Sequence, residues 1–280
     1  MPIRNRGGDR MILLHYQTDE GPRLAIKTKA GVFDARGASL DQVFLGATPS
    51  PGDELDESRL VYAPSVPNAG KLLCIGLNYR KHAEETGAEL PKTPILFAKF
   101  GNALAACGQE VPIPKTTKQV DYEAELVVVI GRETRNVSVE DAPKYVWGYT
   151  NGNDVSARDL QHATPQWTLG KTPDKFGPIG PYLVSSDELG DLGPRSITCT
   201  VNGEVRQNSN LGDLIFSVPE LVSYLSRYFT LSPGDVIFTG TPNGVAAGYA
   251  DPKPWLHPGD EVVVEIEGLG KLTNRLVDGV

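Results

Sequence analysis

Cysteine is scarce: the 280-residue chain has three (Cys74, Cys107 and Cys199), far apart and odd in number. This leaves no disulfide framework and no thiolate metal spacing. They read as reduced thiols of a cytoplasmic protein. Histidine is nearly as rare, with four residues, so each one draws notice. Nowhere does the chain approach the roughly 18 consecutive apolar residues of a membrane span, and no tract of Lys and Arg is dense enough for nucleic acid or an anionic bilayer. The balance runs the other way, with 35 acidic against 27 basic residues and a formal net charge of −8. Partners of those two kinds are set aside. The first ten residues carry Arg4, Arg6 and Arg10 but no apolar segment, and read as a poorly ordered leader.

What is present is β-rich. From Met11 to about Val61, short alternating runs such as Leu24-Ala25-Ile26-Lys27 are separated by turn residues, as in a small antiparallel sheet. The Pro/Gly-rich stretch from Ala63 to Gly70 marks a boundary, giving a small N-terminal β domain (1–69) and a larger domain (70–280). In the larger part, strands are expected at Lys71–Gly76, Ile95–Phe100, Trp147–Val155 and Glu261–Glu267, with a hairpin turning at Asn202-Gly203. Short helices are expected after Asn78 as cap and up to Gly87, from Ser138, from the capping-box pattern Ser156–Asp159, and from Ser217 with Glu220. Residues 167–181 carry Gly or Pro at four of their last five positions and read as an irregular loop, with Lys171 as the residue of interest.

The stretch from Val120 to Gly131 begins with acids and ends in an unbroken apolar run, so it reads as one strand that starts at a wet rim and finishes in a core. Alternation along a strand puts Glu123 and Glu125 on one face. Two carboxylates so placed require a shared proton, a cationic side chain or a metal ion. Asp154, at the end of the Trp147 strand, supplies a third acid. Carboxylate oxygens suit Mg2+, Mn2+ or Ca2+. An open Mg2+ or Mn2+ would polarise a ketone or carboxylate oxygen of a 2-oxo acid. His82 and Glu85, three apart on a short helix next to the loop-like, lid-like segment 87–94, can orient and deprotonate a water. Arg158 and Lys171 would neutralise substrate oxygens, Gln161 would donate as a neutral amide, and the loop around Thr241 could hold an anion. Glu265 and Glu267 repeat the spacing without such company, so spacing by itself equally describes a solvated strand.

Taken together, Asn78-Tyr79 with His82 and Glu85, Asp121-Tyr122-Glu123-Ala124-Glu125-Leu126, Asn153-Asp154-Val155-Ser156-Ala157-Arg158-Asp159-Leu160-Gln161, Lys171 before Gly180-Pro181, and Thr239-Gly240-Thr241-Pro242 with Gly244-Val245 closely resemble the fumarylacetoacetate hydrolase family, from about residue 70 to the end. The resemblance implies a mixed β-sandwich roll with short flanking helices, an α+β fold carrying a small N-terminal β domain, assembled as a homodimer. It implies Mg2+ or Mn2+ on Glu123, Glu125 and Asp154, a water-activating lid pair in His82 and Glu85, oxyanion and substrate contacts from Lys171 and Gln161, and substrate anchors in Arg158 and Thr241. The connection from Gln161 to Trp167 is shorter than in some members, which bears on substrate size. Members hydrolyse acylpyruvates, decarboxylate oxaloacetate, interconvert keto and enol forms, or act in sugar-acid breakdown, all by way of an enolate held at the metal. The leading expectation is metal-dependent hydrolysis of a C–C bond in a 2,4-dioxo acid, with oxaloacetate decarboxylation or tautomerisation as the alternative. A non-catalytic metal-binding β module is the alternative of a different class.

Overall fold

The computed structural model describes residues 10–279. The leader expected over residues 1–10 therefore falls outside the described residues apart from Arg10. The architecture is β-rich with short helices, as the fumarylacetoacetate hydrolase resemblance implies. A twelve-stranded sheet runs, in spatial order, through Glu54–Leu55, Gly31–Asp34, Gly21–Thr28, Ile12–Thr18, Gly177–Ser185, Val146–Asn153, Ala124–Ile130, Val236–Phe238, Leu72–Gly76 and Ile95–Lys99, with two short strands off this path. A five-stranded sheet of Glu204–Asn210, Ser196–Val201, Glu261–Ile266, Lys271–Asp278 and Val111–Ile113 packs against it. The N-terminal meander is antiparallel and joins the large sheet edge-on, through Ile12 opposite Val184 and Leu13 opposite Leu183. No helix among the described residues is long and apolar enough to cross a membrane.

The strand Ala124–Ile130 lies at the centre, and both of its faces are covered. Ala124, Leu126, Val128 and Ile130 enter the core between the two sheets. Val127 and Val129 enter a second core with Phe238 and Ile179. Coverage on both sides is why the run is apolar without alternation. The single strand expected from Val120 to Gly131 is broken, however. Val120–Asp121 pairs with Ser156–Ala157, Tyr122 and Glu123 interrupt, and the long strand starts at Ala124. At the break the Glu123 N–H donates to the Asn153 side chain instead of to a neighbouring strand. The acids do not sit at a wet rim either, since Asp121, Glu123 and Glu125 are all buried.

Several local signals appear as read. The hairpin turns at Asn202 and Gly203, both at positive φ as a tight two-residue turn requires. Ser217 and Glu220 form a capping box on the helix Val218–Ser226, which buries Val218, Leu221, Val222 and Leu225. Others do not. Residues 177–181 are part of a regular nine-residue strand, Gly177–Ser185. Its prolines are tolerated because Pro178 lies where the partner changes and Pro181 lies in the bulge between Gly180 and Val184, so neither is asked for an N–H. The Ser156 hydroxyl donates to the Asp154 carbonyl and caps nothing, while Asp159 accepts from Thr117 and Lys118, so that capping box is absent. The acids after Ser138 precede only a 3-10 turn at Ala142–Tyr145. Asn78 is likewise no cap: it is fully buried and ties the Thr239 and Phe216 backbones together.

Candidate active site

The sheet register brings the three acids together. Ala124 lies opposite Asn153 and Glu125 opposite Gly152, and the Asp154 N–H donates to the Glu123 carbonyl at 2.9 Å. The strand break and the strand end thus meet side by side. Carboxylate oxygens of Glu123, Glu125 and Asp154 lie within 4.8 Å of one another, all buried.

Cations surround two of the three. Arg158 Nη2 donates to Glu123 Oε1 at 2.5 Å and its Nε to Asp121 Oδ2 at 2.9 Å. Lys171 Nζ bridges Glu123 Oε2 and Asp154 Oδ2, both at 2.7 Å. Burial opposes ionisation of Glu123, but Arg158, Lys171 and His82 outweigh it and hold the carboxyl well below the usual range. Glu125 is different. It makes no ion pair among the described residues and accepts the Gly240 N–H at 2.7 Å. Burial and the charges of Asp154 and Glu123 push its carboxyl well above the usual range. Asp154 Oδ1, 2.6 Å from Lys99 Nζ, is close enough for charge attraction yet accepts no directed hydrogen bond. A crowded carboxylate set with an orphaned buried oxygen and an uncompensated third acid lacks a positive charge, and a hard divalent cation is the group that fits it.

Two short helices deliver the cationic side chains. Arg158–Gln161 and Thr168–Lys171 pack so closely that a Cβ on Gly170 would lie 2.4 Å from the Gln161 nitrogen. Arg158 and Gln161 share a face as the spacing predicts, with Arg158 Nη1 donating to Gln161 Oε1 at 3.0 Å. That bond leaves the Gln161 amide nitrogen without a partner among the described residues, as a donor toward the cleft. The Thr241 hydroxyl, expected to meet an anion, donates to the Ala124 carbonyl and accepts from Gln207. The loop does hold anions, but they are the chain's own: Gly240 N–H binds Glu125, and Gly244 N–H binds Glu85 at 2.9 and 3.1 Å.

The helix Arg80–Glu85 brings His82 to the wall of the cleft. His82 Nδ1 is 3.4 Å from Glu85 Oε2, and both side chains are largely buried. A cleft of about 310 Å³ results, lined on the polar side by the three acids, Arg158, Gln161, Lys171, Thr241 and His82. Eight of the nine residues singled out in the sequence line this cleft, and the ninth, Glu85, lies beside His82.

Three further contributors are not among the residues singled out from the sequence. Lys99 is buried beneath Asp154, its ammonium held by the Val155, Lys171 and Phe176 carbonyls. Asp121, inside the acidic stretch, accepts from Arg158 and from the Ala246 and Ala247 N–H groups. Gln207, far along the chain, fixes both the Ala124 N–H and the Thr241 loop. Only Asp121 carried a signal, its place two residues before Glu123.

A buried carboxylate cluster next to a histidine–carboxylate pair, open to a small cleft, is the layout of an enzyme for small molecules. The chain belongs to the fumarylacetoacetate hydrolase family: residues 71–277 match the family model described as fumarylacetoacetate (FAA) hydrolase C-terminal. The chain is 41% identical over 225 residues to the oxaloacetate tautomerase FAHD2A, mitochondrial, of Homo sapiens, covering 80% of this chain and 71% of that protein. Among solved structures, a fumarylacetoacetate hydrolase from psychrophilic Exiguobacterium antarcticum superposes with a TM-score of 0.85 at 31% identity, covering 96% of this chain and 99% of that one. A fumarylpyruvate hydrolase from Pseudomonas aeruginosa, solved with Mn2+ and pyruvate, superposes with a TM-score of 0.69 at 38% identity over 75% of this chain and 90% of that one.

Proposed function

We propose that this chain moves a proton at C3 of a small 2-oxo acid, interconverting its keto and enol forms, with Mg2+ or Mn2+ held by Glu123, Glu125 and Asp154. The observation that carries the reading is His82, paired with Glu85, lining the same cleft as the carboxylate cluster. When bound, the divalent ion would serve as a Lewis acid toward the substrate's carboxylate and 2-oxo oxygens and so acidify the neighbouring C–H.

The chain's own residues supply the rest. His82 takes the C3 proton and returns it in the reverse direction. Glu85, pinned by the Gly244 N–H, faces the imidazole and stabilises its protonated form. Arg158 and Lys171 keep Glu123 ionised and in place, and the Gln161 amide nitrogen is available to the substrate carboxylate. One proton leaves carbon and one arrives on oxygen, or the reverse; no bond between heavy atoms changes. The 41% identity to a protein named as an oxaloacetate tautomerase supports ranking proton transfer first. It also makes oxaloacetate the first acid to try.

Hydrolysis of a 2,4-dioxo acid, the leading expectation from the sequence, becomes the second reading. The same pair would then deprotonate water, and the 38% identity to a fumarylpyruvate hydrolase favours it.

Metal-depleted protein assayed for ketonisation of enol oxaloacetate and for cleavage of acetylpyruvate, with Mn2+ or Mg2+ added back, distinguishes the two. His82→Ala should abolish turnover while keeping the Mn2+-induced rise in melting temperature. Turnover independent of metal, or full activity in His82→Ala, would overturn the mechanism, and metal binding without any turnover would favour the non-catalytic module.

A further inference from the structure

We propose that the outer half of this cleft, built by Trp167 with Phe97, is a subsite for an uncharged aromatic group on C3 of the substrate, so that 3-aryl 2-oxo acids of the arylpyruvate class are turned over. The inference rests on the 2-oxo acid reading above and extends it to the part of the substrate that does not react.

The cations of the cleft are already engaged. Among the lysines and arginines of the described residues only Arg158 and Lys171 line it, and their donors go to Asp121, Glu123 and Gln161, and to Glu123 and Asp154. His162, at the mouth, is held below the usual histidine range by partial burial and by Arg158 and Lys171, so it does not serve as a further cation near neutral pH. A second, distal carboxylate, as in oxaloacetate, meets here only cations that are already paired, so it gains less from this half of the cleft than an apolar group does.

The remaining wall is apolar. Trp167 is half-buried and seated on Gly76, where a Cβ would come within 2.8 Å of its ring. Phe97 meets it edge to face, with ring centroids 5.3 Å apart at 66°. Ile75, Leu77 and Val245 continue the lining. Lys171 Nζ lies 4.9 Å from the Phe97 ring centroid, so the aromatic wall begins where the charged floor ends. A ligand with its 2-oxo carboxylate over that floor would rest a planar apolar substituent on Trp167 and Phe97. Offset and edge-to-face contacts suit such a ring, and the cleft volume lies at the small end of the ~300–1,000 Å³ typical of ligand pockets.

In the proposed conversion the enol oxygen of phenylpyruvate loses its proton and C3 gains one, with no change of oxidation state. Enol phenylpyruvate and enol oxaloacetate are assayed in parallel with Mn2+-loaded protein, following loss of enol absorbance. Both should be accelerated. Trp167→Ala should lower the ratio of kcat/KM for phenylpyruvate to that for oxaloacetate at least about tenfold, the loss of one well-buried ring contact. Trp167→Phe, which keeps a ring, should lower the ratio by less. In a binding assay, phenylpyruvate should quench tryptophan emission of the unaltered protein, and Trp167→Phe should lose most of that quench, Trp147 and Trp255 lying outside the cleft. An unchanged ratio in a folded Trp167→Ala protein, or turnover of oxaloacetate without any of phenylpyruvate, overturns the inference. Turnover of neither acid overturns the reading of the site on which it rests.

Discussion

Gly248 is the most direct handle on the His82–Glu85 pair. It ends the 3-10 turn Ala246–Gly248, whose first two N–H groups donate to Asp121, and its face is packed against Glu85. A Cβ at this position would lie 2.1 Å from Glu85 Oε1 and 2.2 Å from its Cδ. The obstructed atoms are the end of a flexible side chain, so in Gly248→Ala it is Glu85 that moves. What is lost is the carboxylate's hold on the Gly244 N–H and its place beside His82. A hydrogen bond to a charged group contributes roughly 1.5–3 kcal/mol. The displaced carboxylate recovers part of that from water, so the expected loss of stability is about 1–2 kcal/mol. The same 1.5–3 kcal/mol withdrawn from the orientation of the base corresponds to a roughly ten- to hundredfold fall in kcat/KM. The assay pairs denaturant unfolding with steady-state ketonisation of enol oxaloacetate. Glu85→Gln should fall by a similar factor, and the double variant should fall no further, because both changes remove one interaction. Activity within about twofold of the unaltered enzyme in Gly248→Ala would refute the role given to Glu85.

Glu125→Gln should raise the stability of the metal-free protein, since it removes the one buried carboxylate of the cluster that has no ion pair, and should abolish the melting-temperature rise on adding Mn2+. For the unaltered protein that rise should correspond to about 2.7 kcal/mol at a metal concentration a hundredfold above Kd; a Mn2+ shift retained in the variant would remove Glu125 from the ligand set. His15 gives a pH test remote from the cleft. Its Nδ1 faces the Ser65 carbonyl, and burial lowers its pKa from 6.5 to about 4. Above pH 6.5 the ring is neutral folded or unfolded and contributes nothing. As pH falls toward 4 the unfolded chain takes up a proton that the folded one refuses, so stability declines by about 1.4 kcal/mol per unit, about 3 kcal/mol in all. Denaturant unfolding at pH 7 and pH 4.5 should show that decline reduced in His15→Gln, and an equal slope in both proteins would contradict it.

Much of this molecule was legible locally. The Asn202-Gly203 turn, the Ser217–Glu220 capping box and the shared face of Arg158 and Gln161 each depend on residues a few positions apart, and each formed as the spacing required. The same local reading failed at residues 177–181, where the partner strands decide that glycine and proline are acceptable in a strand. It failed at Ser156 and Asn78 because tertiary partners took their polar groups away from the helix ends.

For the site, the sequence by itself determined the residue types and their order: Glu123 and Glu125 on one side of a strand start, Asp154 after another, and a His–Glu pair on a short helix. It did not determine their charge state or surroundings, because the field at a carboxylate is set by whatever lies within a few ångströms in space. Only the tertiary structure decided that the acids are buried, that Lys99 and Lys171 neutralise Asp154 while Glu125 goes uncompensated, and that Gly240 and Gly244 turn their N–H groups on the chain's own carboxylates. The apolar wall of Trp167 and Phe97 was decided there as well, by contacts that join residues far apart in the chain.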